Sequence, residues 1–249
     1  MHKKDALEKN FFAYDKIFAQ FWNSLVLRDA PYPISPDDLM DAPTEFVSVI
    51  QGEPITRVRD ILKYYRGTTK LGIALMGLEN QTYPDPLMPI RIMGYDWMAY
   101  DKQVKSQSSQ QKIVPVVTIV IYFGHTRRWH MPMALSQCVE VPEPFKSCFS
   151  DYSINVIEFA WLTDEEIEAL SGDLKMLALG LRCFRQRNLE HSPNGVIERP
   201  SALLSLLGEI TGEPTFEKLR EQYQEAEEVH MCEIFDERRR FICVRSLMN

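Results

Sequence analysis

The stretch Arg57–Gln81, RVRDILKYYRGTTKLGIALMGLENQ, constrains the fold more than any other part of the chain. Between Arg57 and Arg66, β-branched and aromatic residues alternate roughly with charges, which suggests a strand. Leu71–Leu78 is a short, nearly continuous apolar run of the kind a buried strand shows, and Gly67-Thr68-Thr69 between the two is turn material. The two strands are expected to pair as a hairpin. Strand side chains repeat every two residues, so Asp60 shares a face with Val58 and Leu62, and Glu79 shares one with Gln81. A hairpin then brings Asp60 and Glu79 toward each other. Two converging carboxylates offer hard oxygen ligands to Mg²⁺ or Mn²⁺. On spacing alone a second reading stays open, in which Asp60 pairs with Arg57 or Arg59 and Glu79-Asn80 ends a strand in polar residues.

The rest of the chain reads as support. Phe11, Tyr14, Phe18, Phe21, Trp22 and Leu25 fall at helical spacing and predict one amphipathic helix within residues 5–28, expected to cover the sheet. Ala30–Thr44 is a proline-rich connection, after which Phe46–Ile50 reads as a strand turned by Gly52-Glu53-Pro54. Beyond Gln81 the spacing of Met93, Trp97, Tyr100 and Val104 predicts the buried face of a helix, with Arg91 and Tyr95 one turn apart on a neighbouring face. Ile113–Phe123 reads as a buried strand that can lie parallel to the hairpin after a helical crossover, and Tyr152–Trp161 as a further strand near an edge. Thr163-Asp164-Glu165-Glu166 has the form of a capping box opening a helix to about residue 188. Helices at about 200–211 and 215–235 follow, and Arg238–Arg240 form a basic tail.

Charge distribution bears on partners more than the total of −7 does. Residues 158–237 hold 18 acids and 7 bases, whereas residues 1–157 hold 17 of each. Within the first part, Arg57, Arg59, Lys63, Arg66 and Lys70 surround the lone acid Asp60, a patch that can attract phosphate or simply solvate a strand edge. The five cysteines form no C-x-x-C pair and read as reduced thiols. His125 and His130 lack a cysteine at zinc-ligand spacing and fit a polar turn better than a zinc site. The stretch MHKKDALEKN has no apolar h-region, and Ile113–Phe123 is too short to span a bilayer, so the chain is expected to be cytoplasmic and without membrane contact.

The words RDILK, GLENQ, MPIRIMGYD and PVVTIVIYFG, in this order, resemble the recombination-promoting nuclease and putative transposase family, a branch of the PD-(D/E)xK nuclease superfamily. The resemblance runs from Phe11 to about Leu189. It implies an α/β fold of restriction-endonuclease type, a mixed central sheet flanked by helices, with a nuclease-like core over 1–162 and an acidic helical C-terminal extension over 163–249. It implies that Asp60, Glu79 and the backbone carbonyl of Asn80 hold Mg²⁺ or Mn²⁺. Gln81 occupies the third motif position, so the chain reads E-x-Q where the superfamily usually has lysine. Arg91 and Tyr95 are expected to join Arg57, Arg59 and Lys63 in binding substrate phosphate, and Asn23 on the first helix to support the metal. The implied function is metal-dependent endonucleolytic cleavage of DNA, linked to recombination or mobile elements. The alternative is a nuclease-like module, weak or inactive in cleavage, that binds DNA or protein. Homo-oligomerisation is left open.

Overall fold

The computed structural model describes residues 3–50, 53–66, 73–106, 113–187 and 193–247. They form two compact units, one of residues 37–122 and 129–157 and the other of residues 1–36, 123–128 and 158–249. In chain order, α1 (Lys3–Phe12) and α2 (Asp15–Phe21) open the chain. Strands β1 (Leu39–Asp41), β2 (Glu45–Ile50), β3 (Glu53–Val58), β4 (Ile61–Arg66) and β5 (Ile73–Gln81) follow. Then come α3 (Met88–Ser106), β6 (Val116–Tyr122) and β7 (Asn155–Glu158). The chain continues with α4 (Asp164–Glu168), α5 (Gly172–Gln186), β8 (Val196–Ile197), α6 (Pro200–Thr211), α7 (Thr215–Gln222), β9 (Val229–His230) and α8 (Met231–Leu247).

The unit of residues 37–122 and 129–157 is built on a five-stranded mixed sheet in the order β1-β4-β5-β6-β7. The expected hairpin is there: β4 and β5 are antiparallel, with Ile61 opposite Leu78 and Arg66 opposite Ile73. Its turn, Gly67-Thr68-Thr69, and Lys70 lie outside the described residues. β6 runs parallel to β5, with Val120 opposite Glu79, because α3 carries the chain back to the starting end between them. This is the mixed α/β arrangement of a restriction-endonuclease-like fold, with helices following at the C-terminal end.

Three local expectations are corrected. The alternating run Arg57–Arg66 is not one strand: it breaks at Arg59-Asp60, and β3 pairs only with β2 in a separate two-stranded ribbon while β4 enters the main sheet. Glu53-Pro54 belongs to β3 and is not turn. The buried face of α3 is not the Met93–Trp97–Tyr100–Val104 row, since Trp97 is 50% and Val104 59% exposed. α3 instead buries Ile92, Tyr95, Asp96, Ala99 and Gln103, packing Ile92 and Tyr95 with Val120 and Ile154, and Ala99 with Leu62 and Phe46.

The other unit corrects further boundaries. Residues 5–28 bend at Tyr14, whose backbone is extended, so α1 and α2 are separate and a π turn follows over Trp22–Val26. A straight helix at about 100° per residue would spread Phe11, Phe12, Phe18, Phe21 and Trp22 over half its circumference; with the bend all five are buried. α1 packs on α6 and α2 on α5. The helix expected to about 188 is interrupted after Glu168, and α5 restarts at Gly172, whose φ is +51°. Past α7 the acid-rich run after Gln222 offers little more than Tyr223 and Ala226 to bury, the helix stops, and Val229-His230 pairs with Val196-Ile197. Arg238 is not part of a tail: it is buried in α8 and donates to Glu213 at 2.7 Å. Among the described residues no helix is long and apolar enough to cross a membrane.

The capping box forms as read. The Glu166 N–H donates to Thr163 Oγ1 at 3.2 Å, and the Thr163 N–H donates to Glu166 Oε2 at 2.7 Å. Thr163→Ala is therefore expected to cost about 1 kcal/mol in chemical denaturation, and an unchanged midpoint would show that α4 is held by packing alone.

Candidate active site

The break between β3 and β4 is what assembles the site. The Arg59 N–H donates to the Thr44 carbonyl at 2.9 Å, tying the chain where it leaves the ribbon. The β4–β5 ladder ends at Ile61 and Leu78, so Asp60, just beyond it, meets the end of β5. Asp60 Oδ2 accepts the Asn80 N–H at 2.8 Å. The N–H and C=O of one strand residue point to the same side, so the Asn80 carbonyl is also turned toward Asp60. Glu79 is one residue back, and Gln81, half-buried, shares the Glu79 face by strand alternation.

Glu79 is fully buried. Burial, and next the charge of Asp60, push its carboxyl up to about 8, against the pull of Arg59 and Arg91 in the other direction. Its Oε1 accepts Arg59 Nε at 3.2 Å, and Arg91 Nη2 stands 3.9 Å from Oε2. Arg91 is anchored by Asp85, whose Oδ2 accepts its Nη1 at 3.1 Å. Asp85 also accepts the Leu87 N–H at 2.9 Å, just ahead of α3. The Tyr95 ring centroid is 5.6 Å from the Arg59 guanidinium carbon and 5.9 Å from that of Arg91. Burial and the Glu79 charge raise the Tyr95 hydroxyl above its ordinary value, which keeps it a donor.

The phosphate contacts expected from the first strand are largely internal. Arg59 is fully buried, with its guanidinium divided among Glu79, Asp96 and Thr118. Lys63, one residue out of phase with Leu62, lies on the opposite face from Glu79 and is buried against Asp41, its register partner on β1, at 2.5 Å. Arg57 pairs with Phe46 in the ribbon, and its side chain lies outside the described residues. Arg91, with 34% of its side chain exposed, is the cation of this group that faces both Glu79 and solvent. Asn23 belongs to the other compact unit and commits both amide atoms to Ile34, at 2.9 and 2.8 Å. The Asn80 amide is buried without a partner on the face opposite Glu79.

Asp96, Thr118, Tyr152 and Gly77 were not read from the sequence. Asp96 and Gln103 interrupt the apolar face of α3, and a carboxylate in that position is the signal that could have been found. Gly77 has a structural reason: a Cβ there would sit 2.2 Å from Arg59 Nη2, so the bare backbone makes room for the buried guanidinium.

The donors present suit a hard divalent cation. Asp60 and Glu79, whose charges disfavour each other, with the Asn80 carbonyl on the same side, are the groups that could hold Mg²⁺ or Mn²⁺. Among the described residues no group of three or more His, Cys, Asp or Glu is placed to hold a metal.

The raised Glu79 value sets a pH dependence. The folded chain holds this proton more tightly than the unfolded chain, so the associated stability is fully present below about pH 4.5 and is lost as pH rises through about 8. Metal-free wild type should lose on the order of a few kcal/mol across that window relative to Glu79→Gln, read from urea denaturation at several pH values. Parallel curves for the two proteins would contradict the buried, Asp60-coupled carboxyl.

A family model described as "Putative transposase, YhgA-like" matches residues 61–203, more than half of the chain. The match begins at the first residue of β4 and takes in Glu79, Gln81, Arg91, Asp96, Thr118 and Tyr152. Comparison with curated proteins and with solved structures gave no match. On the extent of the family match, the chain belongs to the YhgA-like putative transposase family.

Proposed function

We propose that this chain is a divalent-metal-dependent DNA endonuclease of the PD-(D/E)xK type, acting in recombination or the movement of mobile elements. The observation that carries the reading is the convergence of Asp60 and Glu79 at the end of the β4–β5 hairpin, where Asp60 holds the Asn80 N–H and its charge is felt by Glu79. The family's description as transposase-like points to DNA as the substrate. Asp60, Glu79 and the Asn80 carbonyl would hold Mg²⁺ or Mn²⁺, which when bound polarises a phosphoryl oxygen and lowers the pKa of coordinated water. Gln81 orients water on the Glu79 face, because an amide takes no proton near neutral pH. Arg91 meets the substrate phosphate from its half-exposed position, and Asp85 fixes where its guanidinium stands. Tyr95 keeps its proton and supports Arg91.

One observation favours the alternative of a binding module without cleavage: Glu79 holds a proton near neutrality and leans on Arg59, while Gln81 replaces the usual lysine. A plasmid-cleavage assay with Mg²⁺, Mn²⁺ and EDTA separates the two. Asp60→Ala and Glu79→Ala should each abolish cleavage, while Gln81→Lys should retain or raise it. A wild type inert with both metals favours the binding module, and cleavage surviving both alanine changes places the chemistry elsewhere.

The phosphate assignment has its own measurement. Arg91→Gln should weaken DNA binding in Ca²⁺ and lower the log–log salt slope by about one. Lys63→Gln should leave that slope unchanged while lowering stability, since its ammonium is buried against Asp41. The reverse pattern would move the DNA surface to the β1 side.

A further inference from the structure

An arginine carries five N–H donors in a flat fork, a shape that closes bidentately on a carboxylate when nothing else engages it. Arg59 does not close on Glu79 in that way. Only Nε reaches Glu79, 3.2 Å from Oε1, while Nη1 turns to Asp96 Oδ1 at 3.2 Å and Nη2 to the Thr118 hydroxyl at 2.5 Å. The Thr118 hydroxyl donates to the same Asp96 oxygen at 2.6 Å, and the Tyr152 hydroxyl donates to the other at 2.6 Å. Both Asp96 oxygens are thus engaged, which fixes the carboxylate plane and through it the fork.

The surroundings hold the same orientation. Gly77 leaves space for Nη2 that any side chain would fill, and the Tyr95 ring lies against the guanidinium. Arg59, Asp96, Thr118 and Tyr152 come from four places in the chain: the β3–β4 junction, α3, β6 and the segment before β7. Neutralising Glu79 alone would need none of the last three. A fork freed from them could rotate onto both Glu79 oxygens, where it would compete with a cation shared with Asp60.

We infer that Asp96, Thr118 and Tyr152 are positioning residues that act through Arg59: Asp96, held by Tyr152, and Thr118 engage its two Nη groups, limit its hold on Glu79 to one N–H and leave that carboxylate able to ligate a divalent cation. The inference rests on the metal site proposed above. Its consequence is that a hydroxyl which touches neither Glu79 nor Asp60 governs metal affinity.

The test is calorimetric titration of Mn²⁺ into the metal-free full chain, with thermal melts to establish folding. Tyr152→Phe and Asp96→Asn should weaken Mn²⁺ binding by about 10- to 100-fold, the usual effect of removing groups that orient a metal ligand. The loss from Tyr152→Phe should vanish in an Arg59→Gln background, where no fork remains to be misplaced. Should Asp96→Asn fail to fold, Tyr152→Phe, which deletes a single hydroxyl, still decides the matter. A folded Tyr152→Phe protein binding Mn²⁺ like wild type, or a loss that persists with Arg59→Gln, overturns the clamp and leaves the metal site standing. Absence of Mn²⁺ binding by wild type, or binding indifferent to Glu79→Gln, removes the metal site and the clamp together.

Discussion

The burial of Arg59 beside Glu79 is the interaction on which the rest of the site depends. A charged side chain taken wholly out of water costs several kcal/mol unless its donors are met, and here they are met by groups from α3 and β6 as well as from β5. That requirement explains features that would otherwise look unrelated. A glycine interrupts β5, a threonine sits among the valines and isoleucines of β6, and an aspartate lies on the covered face of α3. Each is the residue that a buried guanidinium at that spot needs.

Glu79 faces opposed demands. Burial and Asp60 favour its neutral form, whereas Arg59 and Arg91 favour the carboxylate. A group in this balance changes state with modest changes in its surroundings. The same balance would make the site sensitive to any substitution that alters how Arg59 is shared.

Much of the sheet was legible in the sequence. The apolar run from Leu71 and the valine- and isoleucine-rich strand after Pro115 carry strong period and length signals, and the β4–β5 hairpin with its parallel neighbour β6 followed from them. The Thr163–Glu166 cap was equally explicit. The β3–β4 break was not, because only the adjacent charges Arg59-Asp60 interrupt the alternation there, without glycine or proline to mark a turn. For the same reason Arg59 and Lys63 looked like surface cations: period places a side chain on a face but does not say whether that face is covered. The α3 face was misassigned because its inner row carries Asp96 and Gln103 while Trp97 and Val104 are exposed. Polar residues chosen for a buried network invert the amphipathic pattern that sequence reading depends on.

The site also has an order built into its chain separations. Asp60 and Asn80 are 20 residues apart and meet within one hairpin, whereas Arg59 and Thr118 are 59 apart and need the parallel strand. Closing the longer loop costs about 1 kcal/mol more in chain entropy by logarithmic scaling, and parallel pairing waits on the intervening helix. The contact of Asp60 with Asn80 is thus local to one hairpin, whereas the contacts that hold Arg59 depend on the whole crossover through α3 to β6.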